Sequence, residues 1–180
     1  MKRVFIAIDI SKEIDEKIRQ IQNKLPEFMG KKTELKNLHL TLKFLGLVHE
    51  EKIEIVKEKL RSIKMKRFET VIDKMGFFDN RKSKKYERQL VVWLHMTGCD
   101  GLQKEIDEKL LGLFEKERRF MSHLTIARVK KVDDRKNFLE KLKKIKFGKM
   151  KFNVDKFIFK ESNLTRKGPI YRTIEEYNLN

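Results

Sequence analysis

Polar and apolar residues alternate from Arg3 to Ile10, with Val4, Ile6, Ile8 and Ile10 on one side and Arg3, Phe5, Ala7 and Asp9 on the other. A period of two predicts a strand with one apolar face. The period then lengthens. Ser11 is a helix cap ahead of Ile14, Ile18, Ile21 and Leu25, spaced by three and four, and Pro26 and Gly30 punctuate the end. Alternation returns over 37–46 (NLHLTLKFLG), and Ile53, Val56 and Leu60 predict an amphipathic helix over about 50–64. Strands are predicted at 68–78, 88–97 and 121–130, and helices at about 101–116 and 133–145. The closing stretches KMKFNVDKFIFKES and PIYRTIEEYNL predict two more strands. The polar, basic segment 79–88 (DNRKSKKYER) is predicted to be a loop or hairpin tip.

Written as elements, the chain is α+β and repeats a β-α-β-α-β-β unit, about 1–97 and 98–180. The pattern His-Leu-Thr-apolar occurs once in each half, at 39–42 and 123–126, 84 residues apart. No low-complexity linker separates the halves. The expectation is therefore one bilobal domain over 1–180, with two pseudo-symmetric lobes that exchange strands or sit side by side.

Charge changes the picture. The 180 residues carry 44 Lys and Arg against 27 Asp and Glu, a formal net charge of +17. A surplus of that size attracts polyanions, nucleic acid above all, through phosphate contacts and counterion release. A heavily solvated Lys-rich surface is the alternative. The single Cys99 excludes an internal disulfide framework and a cysteine zinc site. No apolar run approaches a membrane span, and the N-terminal MKRVFIAIDI has no small-residue cleavage site, so a cytoplasmic protein is expected.

Residues i and i+2 of a strand share a face. His39 and Thr41 are therefore expected to point one way, with Leu38, Leu40, Leu42 and Phe44 turned into the core. His123 and Thr125 are expected to repeat this against Leu124 and Ile126. The other two histidines, His49 and His95, lack the full His-Leu-Thr-apolar pattern and read as structural or surface residues. Two imidazoles and two hydroxyls across a cleft suit phosphodiester chemistry without a metal. One imidazole takes a proton from a nucleophile, the other gives one to a leaving oxygen, and the hydroxyls steady the phosphoryl oxygens. The chain has no glycine-rich phosphate loop, no Gly-x-Ser-x-Gly elbow and no spaced metal-ligand set, so no metal and no cofactor are expected.

With these motifs the chain resembles the 2H phosphoesterase superfamily and, within it, the RNA 2′,3′-cyclic phosphodiesterase family, also called 2′-5′ RNA ligase or LigT-like. The likeness spans nearly the whole chain: RVFIAIDI, NLHLTLKFLGLV, the VVWL strand, SHLTIAR and the S-x-L…G-P-x-Y tail at 162–171. It implies antiparallel sheets facing a central cleft, with helices outside. It further implies that His39 is the proton donor to a departing 3′ oxygen, that His123 is the acceptor activating water, and that Thr41 and Thr125 bind the phosphate. Symmetry in the sequence itself does not choose between the two histidines.

Secondary candidates are Arg3, Phe5 as a base-stacking platform or an ordinary packed Phe, Lys43 as added positive charge or a plain exposed Lys, Arg128 and Tyr171. Strict alternation sets Arg128 on the face of Leu124 and Ile126, so a cleft role for it requires a bulge or a strand end. Relatives commonly carry Pro where this chain has Ser122, and an aromatic and a Pro where it has KKTELK at 31–36. The implied partner is RNA ending in a 2′,3′-cyclic phosphate, with tRNA fragments or small cyclic nucleotides as forms of it and a monomer as the acting species. Ligation through a 2′-5′ bond by the same site, and an RNA-end binder without turnover, are the alternatives.

Overall fold

A computed structural model describes residues 1–79, 90–166 and 168–180; apart from Asp79, the segment read above as a loop lies outside these residues. The chain runs β1 (Lys2–Asp9), α1 (Asp15–Asn23), β2 (Met29–Lys32), β3 (His39–Val48), α2 (Glu50–Arg61), β4 (Phe68–Asp79), β5 (Leu90–Met96), α3 (Asp100–Lys109), β6 (His123–Lys131), α4 (Arg135–Lys144), β7 (Met150–Val154), β8 (Lys156–Thr165) and β9 (Gly168–Asn178). All strand pairings are antiparallel, in the order β7-β4-β5-β6-β3-β1-β8-β9, with β2 added beside β6. Two four-stranded groups thus meet between β3 and β6. These strands pair through Leu40 and Leu124 and then part. The result is α+β, a continuous curled sheet with a split at its centre.

The helices form where the pattern puts apolar residues on one side. Ile18 and Ile21 of α1, Ile53, Val56 and Leu60 of α2, Leu102 and Ile106 of α3, and Phe138 and Leu142 of α4 are all buried. Glu50 and Glu51 open α2 while Lys59 and Arg61 close it, the arrangement the helix dipole favours. Helix α4 is capped by Asp134, whose carboxylate accepts from the Asn137 N–H at 3.0 Å. Contacts run from α1 to β6, α3 to β3 and α4 to β4, all on the face that buries Leu40 and Leu124 completely. Each of these leucines stabilises the fold by about 1.5–3 kcal/mol. The helices cover one face, and the central histidines and threonines stand on the other. No helix among the described residues is long and apolar enough to cross a membrane.

Three elements depart from the sequence expectation. The third helix ends at Lys109, not near 116, because the chain turns at Gly112 with φ +85°, a left-handed conformation. The stretch read as one strand over 149–162 is two, since β7 pairs with β4 at one end of the sheet and β8 with β1 near the other. Strand β2 is additional to the expected elements. Its four residues are exposed, so no apolar alternation announces it, and pairing with β6 creates it.

Candidate active site

The pair Leu40 and Leu124 fixes the geometry of its neighbours. In an antiparallel ladder, His39 then lies across from Thr125 and Thr41 across from His123. The two histidines are the diagonal pair. Four side chains, none fully buried, therefore surround one point on the open face.

Each imidazole is oriented by the same device. The Nδ1 of His39 lies 2.8 Å from the Asn37 carbonyl, and that of His123 lies 2.7 Å from the Met121 carbonyl. A carbonyl only accepts, so Nδ1 carries the hydrogen and Nε2 is left for chemistry. Aromatic rings wall both. His39 has Phe5 at 5.0 Å and Tyr171 edge-on at 4.9 Å; His123 has Phe78 edge-on at 5.0 Å and Trp93 at 6.3 Å. The Trp93 indole lies over Gly76, where a Cβ would come within 2.3 Å of the ring.

This apolar packing sets the electrostatics. Burial, opposed by the Asn37 carbonyl and Asp9 but aided by Lys160 and Arg128, lowers the pKa of His39 to about 4. Burial and Arg128 also lower that of His123, against the Met121 carbonyl. Both rings are neutral at pH 7 before an anion binds. Burial raises the Tyr171 phenol, which the charge of Arg128 partly offsets.

Matched irregularities then decide what else faces the cleft. Against β1, Ile6 pairs with Lys43 and Ala7 with Thr41, leaving Leu42 as an extra residue; against β5, Val92 pairs with Ala127 and Trp93 with Thr125, leaving Ile126 extra. A bulge reverses the alternation beyond it. Leu42 and Lys43 are consequently both buried, as are Ile126 and Ala127, and the next residues, Phe44 and Arg128, are exposed.

Several expectations change with the bulges. Lys43 does not share the face of His39; it is buried against α3, where it pairs with Asp107 and donates to the Glu115 carbonyl at 2.6 Å. Burial alone would raise the Asp107 carboxyl, but Lys43, the Glu117 N–H and Gln103 outweigh it and hold that carboxyl low. Phe44 is not a core residue: it is 72% exposed, with its ring 6.1 Å from Phe5. Phe5 itself is only 2% exposed and lies beneath His39, Phe44 and Tyr171, so it offers no free ring face for stacking a base. Arg3 is exposed but pairs with Leu47, eight residues along β3 from His39 and on the order of 25 Å away. Arg128 and Tyr171 do join His39 and His123.

Phe44, Phe78 and Trp93 join the site without having been singled out by the sequence. A signal for Phe44 exists: it follows His39 by five residues, as Arg128 follows His123. The bulge needed to turn Arg128 into the cleft does the same for Phe44.

The family model for LigT-like phosphoesterases matches residues 8–86 and 98–171. The RNA 2′,3′-cyclic phosphodiesterase of Methanocaldococcus jannaschii is 37% identical, over 97% of this chain and 99% of its own length. The protein of that name from Archaeoglobus fulgidus is 34% identical over 97% and 99%. Among solved structures, Escherichia coli LigT complexed with 3′-AMP superposes with a TM-score of 0.75 at 24% identity, covering 99% of this chain and 98% of that one. The Thermus thermophilus protein TT0787 gives 0.78 at 21% identity over 98% and 97%.

Proposed function

The chain belongs to the LigT-like phosphoesterase family, and from that premise we propose that it is an RNA 2′,3′-cyclic phosphodiesterase opening the cyclic end to a 2′-phosphomonoester. One observation carries the chemistry: two imidazoles, each with Nδ1 given to a carbonyl two residues back, stand diagonally about the Leu40–Leu124 pair with a threonine beside each.

In this reading the phosphate sits between the two Nε2 atoms. The Nε2 of His123 takes a proton from water as the water oxygen bonds to phosphorus. The opposite P–O3′ bond breaks, and the Nε2–H of His39 protonates the departing 3′ oxygen. Thr41 and Thr125 donate to the non-bridging oxygens, and Arg128 balances the charge that gathers there. The low pKa of His39 means that its proton arrives with the substrate, because a phosphate anion beside a buried ring favours the imidazolium. Tyr171 and Phe5 hold the His39 ring at its angle.

The reading extends to a single bilobal unit acting as a monomer in the cytoplasm, on ends such as those of tRNA fragments or small cyclic nucleotides. Replacing water by a ribose 5′-hydroxyl in the same steps, with the P–O3′ bond breaking as before, gives 2′-5′ ligation as a minor activity. An oligoribonucleotide with a 2′,3′-cyclic phosphate, incubated with the protein in EDTA and followed by phosphorus NMR, is expected to yield the 2′-monophosphate. A 3′-monophosphate refutes the assigned direction of opening, and bound but unchanged RNA refutes turnover.

A further inference from the structure

Helix α1 turns Ile18, Ile21 and Leu25 into the core, and Gln22 stands among them, only 4% exposed. A polar side chain in an apolar stripe is costly to bury unless its hydrogen bonds are made. Gln22 makes two: its Nε2 donates to the Thr33 carbonyl at 2.8 Å and to the Ile126 carbonyl at 2.9 Å. Ile126 is the extra residue of the β6 bulge, and Thr33 is the residue that follows β2. The Thr33 N–H closes the arrangement by donating to the same Ile126 carbonyl at 2.8 Å. One side chain thus ties helix, bulge and the end of β2 together at a buried point.

That bulge is what sends Arg128 into the cleft. Strict alternation from Leu124 and Ile126 would set Arg128 against the helices instead. Strand β2 lies close on the same residue: Lys31 is its cross-strand partner, and a Cβ on Gly30 would come within 2.2 Å of the Arg128 carbonyl. The bulge of β3 is braced from the opposite direction. There Lys43, the residue after the extra one, reaches α3 and pairs with Asp107. Its counterpart in β6 is Ala127, too short to reach a helix, and the tie comes from α1.

We propose that Gln22 is a positioning residue for the reaction, fixing the β6 bulge so that Arg128 faces the phosphate between His39 and His123. The proposal rests on the cyclic phosphodiesterase reading and adds to it a residue of α1, on the opposite face of the sheet from the chemistry. Gln22→Met keeps the length of the side chain and removes both donors. With adenosine 2′,3′-cyclic phosphate it is expected to lower kcat about tenfold in the wild-type background and less than about twofold where Arg128 is already Gln. An equal proportional loss in both backgrounds, or none in the wild type, overturns the proposal, since a residue that only supports the fold lowers thermal stability without such coupling.

A second readout needs no substrate. Burial, and with it the charge of Arg128, lowers the pKa of both His39 and His123. Displacing the guanidinium lets both rise, so titration of the histidine Cε1–H signals by NMR is expected to show the same upward shift in Gln22→Met as in Arg128→Gln. Unchanged histidine pKa values in Gln22→Met overturn the proposal. If the wild type turns over no cyclic phosphate, the phosphodiesterase reading fails, and this titration alone decides whether Gln22 places Arg128. Gln22→Ala is read in the same two ways should Gln22→Met not fold.

Discussion

The His39 and His123 strands share a scaffold and differ in what surrounds it. Both anchor Nδ1 on the carbonyl two residues back, both carry a threonine two residues on, both pack against two aromatic rings, and both bulge three residues after the histidine. Beyond the bulge they diverge. The buried residue is Lys43 in one and Ala127 in the other, and the exposed one is Phe44 in one and Arg128 in the other. The cross-strand neighbour is Asp9 beside His39 and His95 beside His123. What is matched presents an imidazole and a hydroxyl to one point. What differs gives the cleft a direction, with the apolar Phe44 on one side and the cationic Arg128 on the other.

Breaking the matched part costs most. His39→Ala and His123→Ala are each expected to lower kcat by about a hundred- to ten-thousand-fold in a steady-state assay, with thermal unfolding unchanged. Comparable loss in both marks a shared reaction step, whereas a mild effect in one breaks the equivalence. Thr41→Val and Thr125→Val each remove one donor to the phosphoryl oxygens and are expected to cost up to about 10²–10³ in kcat.

The unmatched part is sharpened by smaller effects. Phe44→Ala is expected to raise KM by roughly tenfold while leaving kcat nearly intact, as loss of a stacking surface does. Arg128→Gln should instead lower kcat, because its charge acts at the centre on both imidazoles.

The acid side of the stability curve carries a weaker signature. A histidine whose folded pKa lies below the unfolded value near 6.5 contributes stability that is present above 6.5 and lost as pH falls toward about 4. His39→Asn is therefore expected to flatten the loss of thermal stability between pH 6.5 and 4, a change read by melting at fixed ionic strength.

The strands and helices are legible in the sequence because their apolar residues follow the periods of two and three to four, and the doubled His-Leu-Thr identifies the centre. What alternation cannot express stays hidden. Lys43 and Phe44 exchange faces because Leu42 bulges, and a bulge leaves no mark on the hydrophobic pattern. Strand β2 is invisible because it is exposed, and the early end of α3 depends on Gly112 and on the Lys43–Asp107 pair that ties the following turn to β3. Alternation places Phe5 on the correct face but at the wrong depth, since burial under Tyr171 depends on a tail more than 160 residues away in sequence.

The central claim is that two similarly built imidazoles do opposite work, His39 as acid and His123 as base. A 2′,3′-cyclic phosphorothiolate with sulfur at the 3′ bridging position separates them, because a thiolate departs without needing a proton. With single-turnover kinetics on this substrate, His39→Ala is expected to recover most of its lost rate and His123→Ala to remain inactive. Recovery of His123→Ala with His39→Ala still inactive would contradict the account and exchange the two roles.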